Sequence, residues 1–99
     1  MLDKADGQSF TGNVRLVHAV GMHARPAVKL TKLAKKFQAQ ISVRVAGAAE
    51  WINAKSVVKI MAMRAAHGST IEIRASGSDA EAAVAALVDL IATDFPDGA

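Results

Sequence analysis

Cysteine is absent from the 99 residues, so the chain builds no disulfide, offers no thiolate nucleophile and has no sulfur ligand for a metal. Aromatic residues amount to 4%, and none falls among Lys29, Lys32, Lys35 and Lys36, where a single-stranded nucleic acid would need rings to stack on. No apolar stretch approaches the roughly 20 residues of a bilayer span. The start MLDKADGQSF also lacks the basic-then-apolar order of a secretory signal. The formal charge is only +3, with acidic residues scattered among the basic ones, which is not the pattern of a nucleic-acid protein. These absences predict a cytoplasmic protein without nucleic acid or membrane as partner. What is plentiful is apolar side chain, 52% of the chain, enough for the core of one compact domain.

Residues 1–12 are polar, carry Gly7 and Gly12 and show no sustained period, so they read as a flexible leader or linker before a domain over 13–95, with 96–99 as a tail. Val14 to His18 alternates as a strand and Gly21 breaks it. From Ala24 onward, Ala27, Leu30, Ala34 and Phe37 recur at helical steps with lysines on the other side. Ile41, Val43 and Val45 alternate as a second strand that turns at Gly47 into a third near Glu50 to Ile52. Ser56 precedes a short apolar helix that it is suited to cap and that Gly68 is placed to stop. Thr70 to Ala75 forms a fourth strand. Ser78 with Glu81 makes a capping-box pattern ahead of a last helix running to Phe95, where Pro96 ends it. This order predicts an α/β (α+β) open-faced sandwich: a four-stranded, mostly antiparallel sheet covered on one face by three helices, with Arg15, Arg44, Glu72 and Arg74 on the other.

The junction of the first strand and first helix, Gly21-Met22-His23-Ala24-Arg25-Pro26, concentrates chemistry. The first N–H groups of a helix lack intrahelical acceptors and, with the helix dipole, favour an anion. Pro26 suits the first turn and Gly21 lets the loop bend, so His23 is presented at that anion site. A neutral imidazole there has a lone pair for attack at phosphorus, and the Arg25 guanidinium matches the oxygens of a phosphoryl group in transfer. An isolated His-x-Arg pair would be explained by capping and solvation; the helix start, Gly21 and Pro26 together favour phosphoryl chemistry. His18, read as lying in a strand, and His67, following the short helix, are assigned structural or solvent-facing roles. No histidine pair has metal-ligand spacing, and no metal is assigned.

GMHARPA, together with Asn53-Ala54-Lys55-Ser56 before an apolar helix, resembles the two signatures of the histidine-containing phosphocarrier family, HPr, of the bacterial phosphoenolpyruvate-dependent phosphotransferase system. The resemblance extends from about Val14 to Phe95. It implies a carrier rather than an enzyme, monomeric and without cofactor. His23 would be phosphorylated on Nδ1, with Arg25 beside it and the amides of Ala24 and Arg25 near the phosphoryl oxygens. Enzyme I would be the donor and an enzyme IIA protein or domain the acceptor, meeting a face made of Val28, Lys32, Val57, Val58 and Met61. Of Val57 and Val58, one is expected to face inward and the other outward. Ser56 matches the serine that a dedicated kinase phosphorylates in some branches of the family, although its capping role is sufficient to account for it. Arg64 stands where many relatives have glycine. The competing reading is a regulatory, partner-binding module of the same fold, in which phosphorylation of His23, and of Ser56, is a signal rather than a transport step.

Overall fold

A computed structural model describes residues 9–96. Four strands, β1 (Ser9–Arg15), β2 (Gln40–Val45), β3 (Ile52–Asn53) and β4 (Thr70–Ser76), form one sheet in the order β1-β4-β2-β3, every pairing antiparallel. Three helices, α1 (Ala24–Ala34), α2 (Val57–Ala62) and α3 (Ala80–Ala92), supply the opposing layer. The predicted open-faced sandwich is therefore the observed architecture. Alternation explains the central strand: Ile71, Ile73 and Ala75 of β4 are buried with Ile41 and Val43 of β2, against Leu30 and Ala34 of α1, Ile60 of α2, and Leu87 and Ile91 of α3. The outward residues of the same strands make the open face. There Arg44 Nε donates to Glu72 Oε1 at 2.6 Å, and the guanidiniums of Arg44 and Arg74 lie 4.4 and 4.3 Å from the centroid of the Trp51 ring.

The first strand begins earlier than its apolar residues suggest. Residues 9–12, read as the end of a flexible leader, are paired in β1, with Ser9 opposite Ser76 and Gly12 opposite Ile73. Residues 1–8 of that leader and 97–99 of the tail lie outside the described residues. Gly12 is a point of close approach rather than a breaker: a Cβ there would come within 2.8 Å of Val84 Cγ1 on α3. At its other end the strand stops at Arg15, leaving His18 in the loop that leads to α1.

Helix ends also differ from the expected pattern. Ser56 caps α2 as expected, its Oγ accepting from the Lys59 amide at 3.3 Å, but the helix ends at Ala62 and Met63, before Gly68. Arg64 follows with φ of 51°, the left-handed conformation that glycine adopts most easily. A glycine would adopt this backbone at lower steric cost than Arg64 does. The capping box of Ser78 and Glu81 does not form. Asp79 is the N-cap of α3, and its carboxylate instead accepts the amides of Gln38 and Ala39, at 2.9 and 2.8 Å, tying the loop before β2 to the start of α3.

The amide of Gln38 foremost, with that of Ala39 and the charge of Lys55 assisting, holds the Asp79 carboxyl below the ordinary carboxylate range. A depressed folded-state value means that its contribution is present above the unfolded value and is lost as pH falls through the folded one. Asp79→Ala should therefore lower the melting temperature at neutral pH, and the gap from the parent chain should close below about pH 4. Thermal unfolding across pH 2–7 reads this directly; a gap that persists in acid would refute the role of the charge.

Beyond α3 the chain does not continue as a helix to Phe95. Asp94 and Phe95 take left-handed conformations, φ 61° and 51°, and the Phe95 amide donates back to Leu90 O at 2.9 Å. This reversal tucks the Phe95 ring into the core, where it is 6% exposed, and turns Asp94 towards the start of α1. Lys29 Nζ fastens the turn by donating to the carbonyls of Phe95 and Pro96, both at 3.0 Å.

Candidate functional site

The loop from Leu16 to Met22 is held by main-chain bonds on both sides of the site. Leu16 N donates to Ser69 O and Gly68 N to Leu16 O, both at 2.8 Å, while Met22 N donates to Ala65 O at 2.9 Å. Gly21, buried with φ of 84°, is where the chain reverses into α1. Its α-carbon passes so close to the loop after α2 that a Cβ would meet Ala65 O at 2.6 Å. His67 Nδ1 lies 3.2 Å from the carbonyl of His18, so this exposed histidine steadies the same loop.

His23 is the N-cap of α1, in extended conformation, and its side chain makes no capping bond. The ring is thus left for other contacts. Pro26 has no N–H, and the first backbone bond of the helix runs from Ala27 N to His23 O at 3.0 Å, so the amides of Ala24 and Arg25 lead the helix at its positive end. Arg25 is exposed on the first turn, and α1 carries no acidic residue there to repel an anion. His23 and Arg25 thus both stand at the start of α1.

The geometry adds two residues that the sequence reading set aside or passed over. His18 is neither in a strand nor turned away: its Nε2 lies 3.0 Å from Nε2 of His23, with ring centroids 5.0 Å apart. On its far side, Nδ1 of His18 is 2.8 Å from Oδ1 of Asp94, and Phe95 meets the ring edge-on at a centroid distance of 6.1 Å. Both of His18's nitrogens are therefore engaged. A shallow depression of about 230 Å³ beside them is lined by His18, Arg25, Pro26, Lys29, Asp94, Phe95 and Pro96. It is too open to enclose a small molecule and suits a group delivered by another surface. Among the described residues no three His, Asp or Glu side chains gather as a metal site, and no helix is long and apolar enough to cross a membrane.

Several large apolar side chains are left at the surface of the described residues. Val58 is 77% exposed and Val20 73%, with Val17, Val28 and Met61 also exposed. Val57 is half-buried and packs against the core, so the pair divides as the sequence predicts. Lys32 is exposed on α1, and Ser56 is half-buried at the start of α2.

A histidine at a helix start, an adjacent arginine and an open-faced sandwich define the class of small phosphocarrier domains. The family profile described as "PTS HPr component phosphorylation site" matches residues 10–93, and the chain belongs to the HPr family of phosphotransferase-system phosphocarriers. It is 36% identical to phosphocarrier protein HPr of Cupriavidus necator, over 84% of this chain and 91% of that one. To phosphocarrier protein NPr of Escherichia coli K12 it is 36% identical, over 85% and 92% of the two chains. The multiphosphoryl transfer protein of Vibrio cholerae is 38% identical over 81% of this chain, which spans only 20% of that longer protein. Among solved structures, HPr of Thermoanaerobacter tengcongensis superimposes with a TM-score of 0.79 at 36% identity, covering 86% of this chain and 93% of that one.

Proposed function

We propose that the chain is a cytoplasmic, monomeric carrier that accepts a phosphoryl group from phospho-enzyme I on Nδ1 of His23 and passes it to an enzyme IIA protein or domain. The observation that carries this reading is the engagement of Nε2 of His23 by His18, which directs the other ring nitrogen to an incoming group at the positive end of α1. The bond from Nδ1 to phosphorus forms as the donor's bond breaks, and the electron pair of the broken bond leaves with the donor. Arg25 and the leading amides of Ala24 and Arg25 stabilise the oxygens of the group in flight. Return transfer to the acceptor runs through the same arrangement, so the residue is a way station and the protein needs no further acid or base.

Val28, Lys32, Val58 and Met61, with the half-buried Val57 behind them, form the face on which donor and acceptor dock in turn, the apolar exposure described above being its basis. Incubation with phosphoenolpyruvate and enzyme I should place one acid-labile phosphate on the chain, mapped to His23 by mass spectrometry. Absence of label, or label on another residue, would overturn the reading.

Ser56 is proposed as the target of a serine kinase that adjusts this docking. A phosphate adds about two negative charges at a helix start that tolerates them, beside Val57 and Val58, so the effect falls on binding and not on α2. Ser56→Asp should slow phosphorylation of His23 by enzyme I about tenfold at unchanged melting temperature. Equal rates for Ser56→Asp and Ser56→Ala would leave Ser56 with its capping role alone.

A further inference from the structure

Two histidines and a carboxylate stand in a row at the site: Asp94 Oδ1, His18 Nδ1 at 2.8 Å, then His18 Nε2 and His23 Nε2 at 3.0 Å. Only certain proton arrangements satisfy this geometry. A carboxylate accepts, so His18 Nδ1 must carry a proton. If His18 is neutral, its Nε2 is then a bare acceptor, and His23 must donate to it from Nε2–H, which leaves the lone pair of His23 on Nδ1. If instead His18 were a cation, it would donate on both sides, His23 would accept at Nε2, and its proton would sit on Nδ1, blocking that atom as a nucleophile.

We propose that His18 and Asp94 form a positioning relay that holds His23 in the Nε2–H tautomer, so that Nδ1 is the atom presented for phosphoryl transfer. The inference rests on the reading of His23 as the phosphoryl acceptor, and deepens it by assigning what selects the reacting nitrogen. The relay acts in the transferred state as well. When Nδ1 bonds to phosphorus the ring becomes cationic; its Nε2–H turns into a stronger donor to His18, and the Asp94 charge lies two hydrogen bonds away to balance it. No proton has to leave the ring. Asp94 reaches the site only because the chain reverses at φ 61° and 51°, and that reversal is fastened by Lys29 and by the burial of Phe95. The side chains of His18 and Asp94 are 25% and 51% exposed, which places them where solvent screens the carboxylate but does not replace the ring-to-ring bond.

The imidazole nitrogen shifts of the unphosphorylated, ¹⁵N-labelled protein read the tautomers without any variant. The expected pattern is His23 protonated at Nε2 with a bare Nδ1, and His18 protonated at Nδ1 with a bare Nε2. His23 protonated at Nδ1, or His18 protonated on both nitrogens at neutral pH, would overturn the relay. In the same protein His18→Leu should lower the rate of phosphorylation by enzyme I roughly tenfold, the worth of one hydrogen bond to a group that becomes charged. His18→Gln, whose carbonyl oxygen can accept from His23 Nε2–H, should recover most of the loss, which a purely structural role would not predict. Asp94→Asn is a gentle change at a left-handed position, and it should shift His18 towards its Nε2–H tautomer. Undiminished rates with unchanged His23 tautomer in both His18→Leu and Asp94→Asn would also overturn the relay. A parent chain that takes no phosphate at His23 would instead overturn the carrier reading, while the nitrogen shifts would still decide the hydrogen-bond row.

Discussion

His23→Ala is expected to remain folded and to take up no detectable acid-labile phosphate from enzyme I and phosphoenolpyruvate. The two halves of that result have separate causes. Folding survives because the His23 side chain makes no capping bond, and because the first helical turn is set by Pro26 and by the backbone bond from Ala27 N to His23 O, which alanine retains. Uptake fails because neither of the other two histidines is available to replace the ring. His18 is committed on both nitrogens and His67 is turned to the His18 carbonyl. Arg25→Ala provides the graded companion, expected to slow transfer by about a hundredfold, the typical loss on removing one donor to a developing anion. Arg25→Lys should restore only part of that rate, since a point charge does not reproduce the two-pronged fit of a guanidinium to phosphoryl oxygens. Wild-type uptake by His23→Ala, measured by acid-labile label, would remove the basis of the carrier reading.

Gly21→Ala is expected to produce the largest loss of stability among single-methyl additions near the site. Two costs coincide there. A Cβ at φ 84° is sterically disfavoured by about 1–2 kcal/mol. The same Cβ would stand 2.6 Å from Ala65 O, which is backbone and already accepts from Met22 N at 2.9 Å. Relieving the overlap means separating the two loops that carry His18 and Ala65, so the expected total is about 3 kcal/mol, or a fall in melting temperature of roughly 15 °C for a domain of this size. Gly47→Ala is a suitable control: it shares the positive φ, at 90°, but has nothing within 4 Å of the added carbon. A loss for Gly21→Ala no larger than for Gly47→Ala, in parallel denaturation curves, would show that close approach to Ala65 contributes nothing.

Elements governed by their own periodicity were legible before any coordinates. The helix face of Ala27, Leu30 and Ala34 and the alternation of Ile71, Ile73 and Ala75 each announce a buried side, and β2 and α2 follow the same logic. The first half of β1 was not legible, because Ser9, Thr11 and Asn13 are strand residues by virtue of the ladder to β4, and Gly12 by virtue of the α3 side chains above it. A similar division runs through the site. His23, Arg25 and Pro26 are neighbours in the chain, so a local motif can hold them. The Asp94–His18 contact spans 76 positions and depends on a chain reversal after α3, where apolar spacing predicts only that the helix continues. What distinguished His18 from a bystander was its distance from His23 in space, which a separation of five positions along a loop does not encode.

The packing of Arg44 and Arg74 against the Trp51 ring has a practical corollary. It is the chain's only tryptophan, and it sits over the face of the sheet that the helices leave open, opposite the layer that carries His23. Its indole emission therefore reports whether β2, β4 and the segment before β3 are assembled, against a background free of other tryptophans and of tyrosine. Native fluorescence can certify the fold of each site variant in the same cuvette in which its phosphate uptake is measured, since optical reporter and chemical centre occupy opposite sides of the molecule.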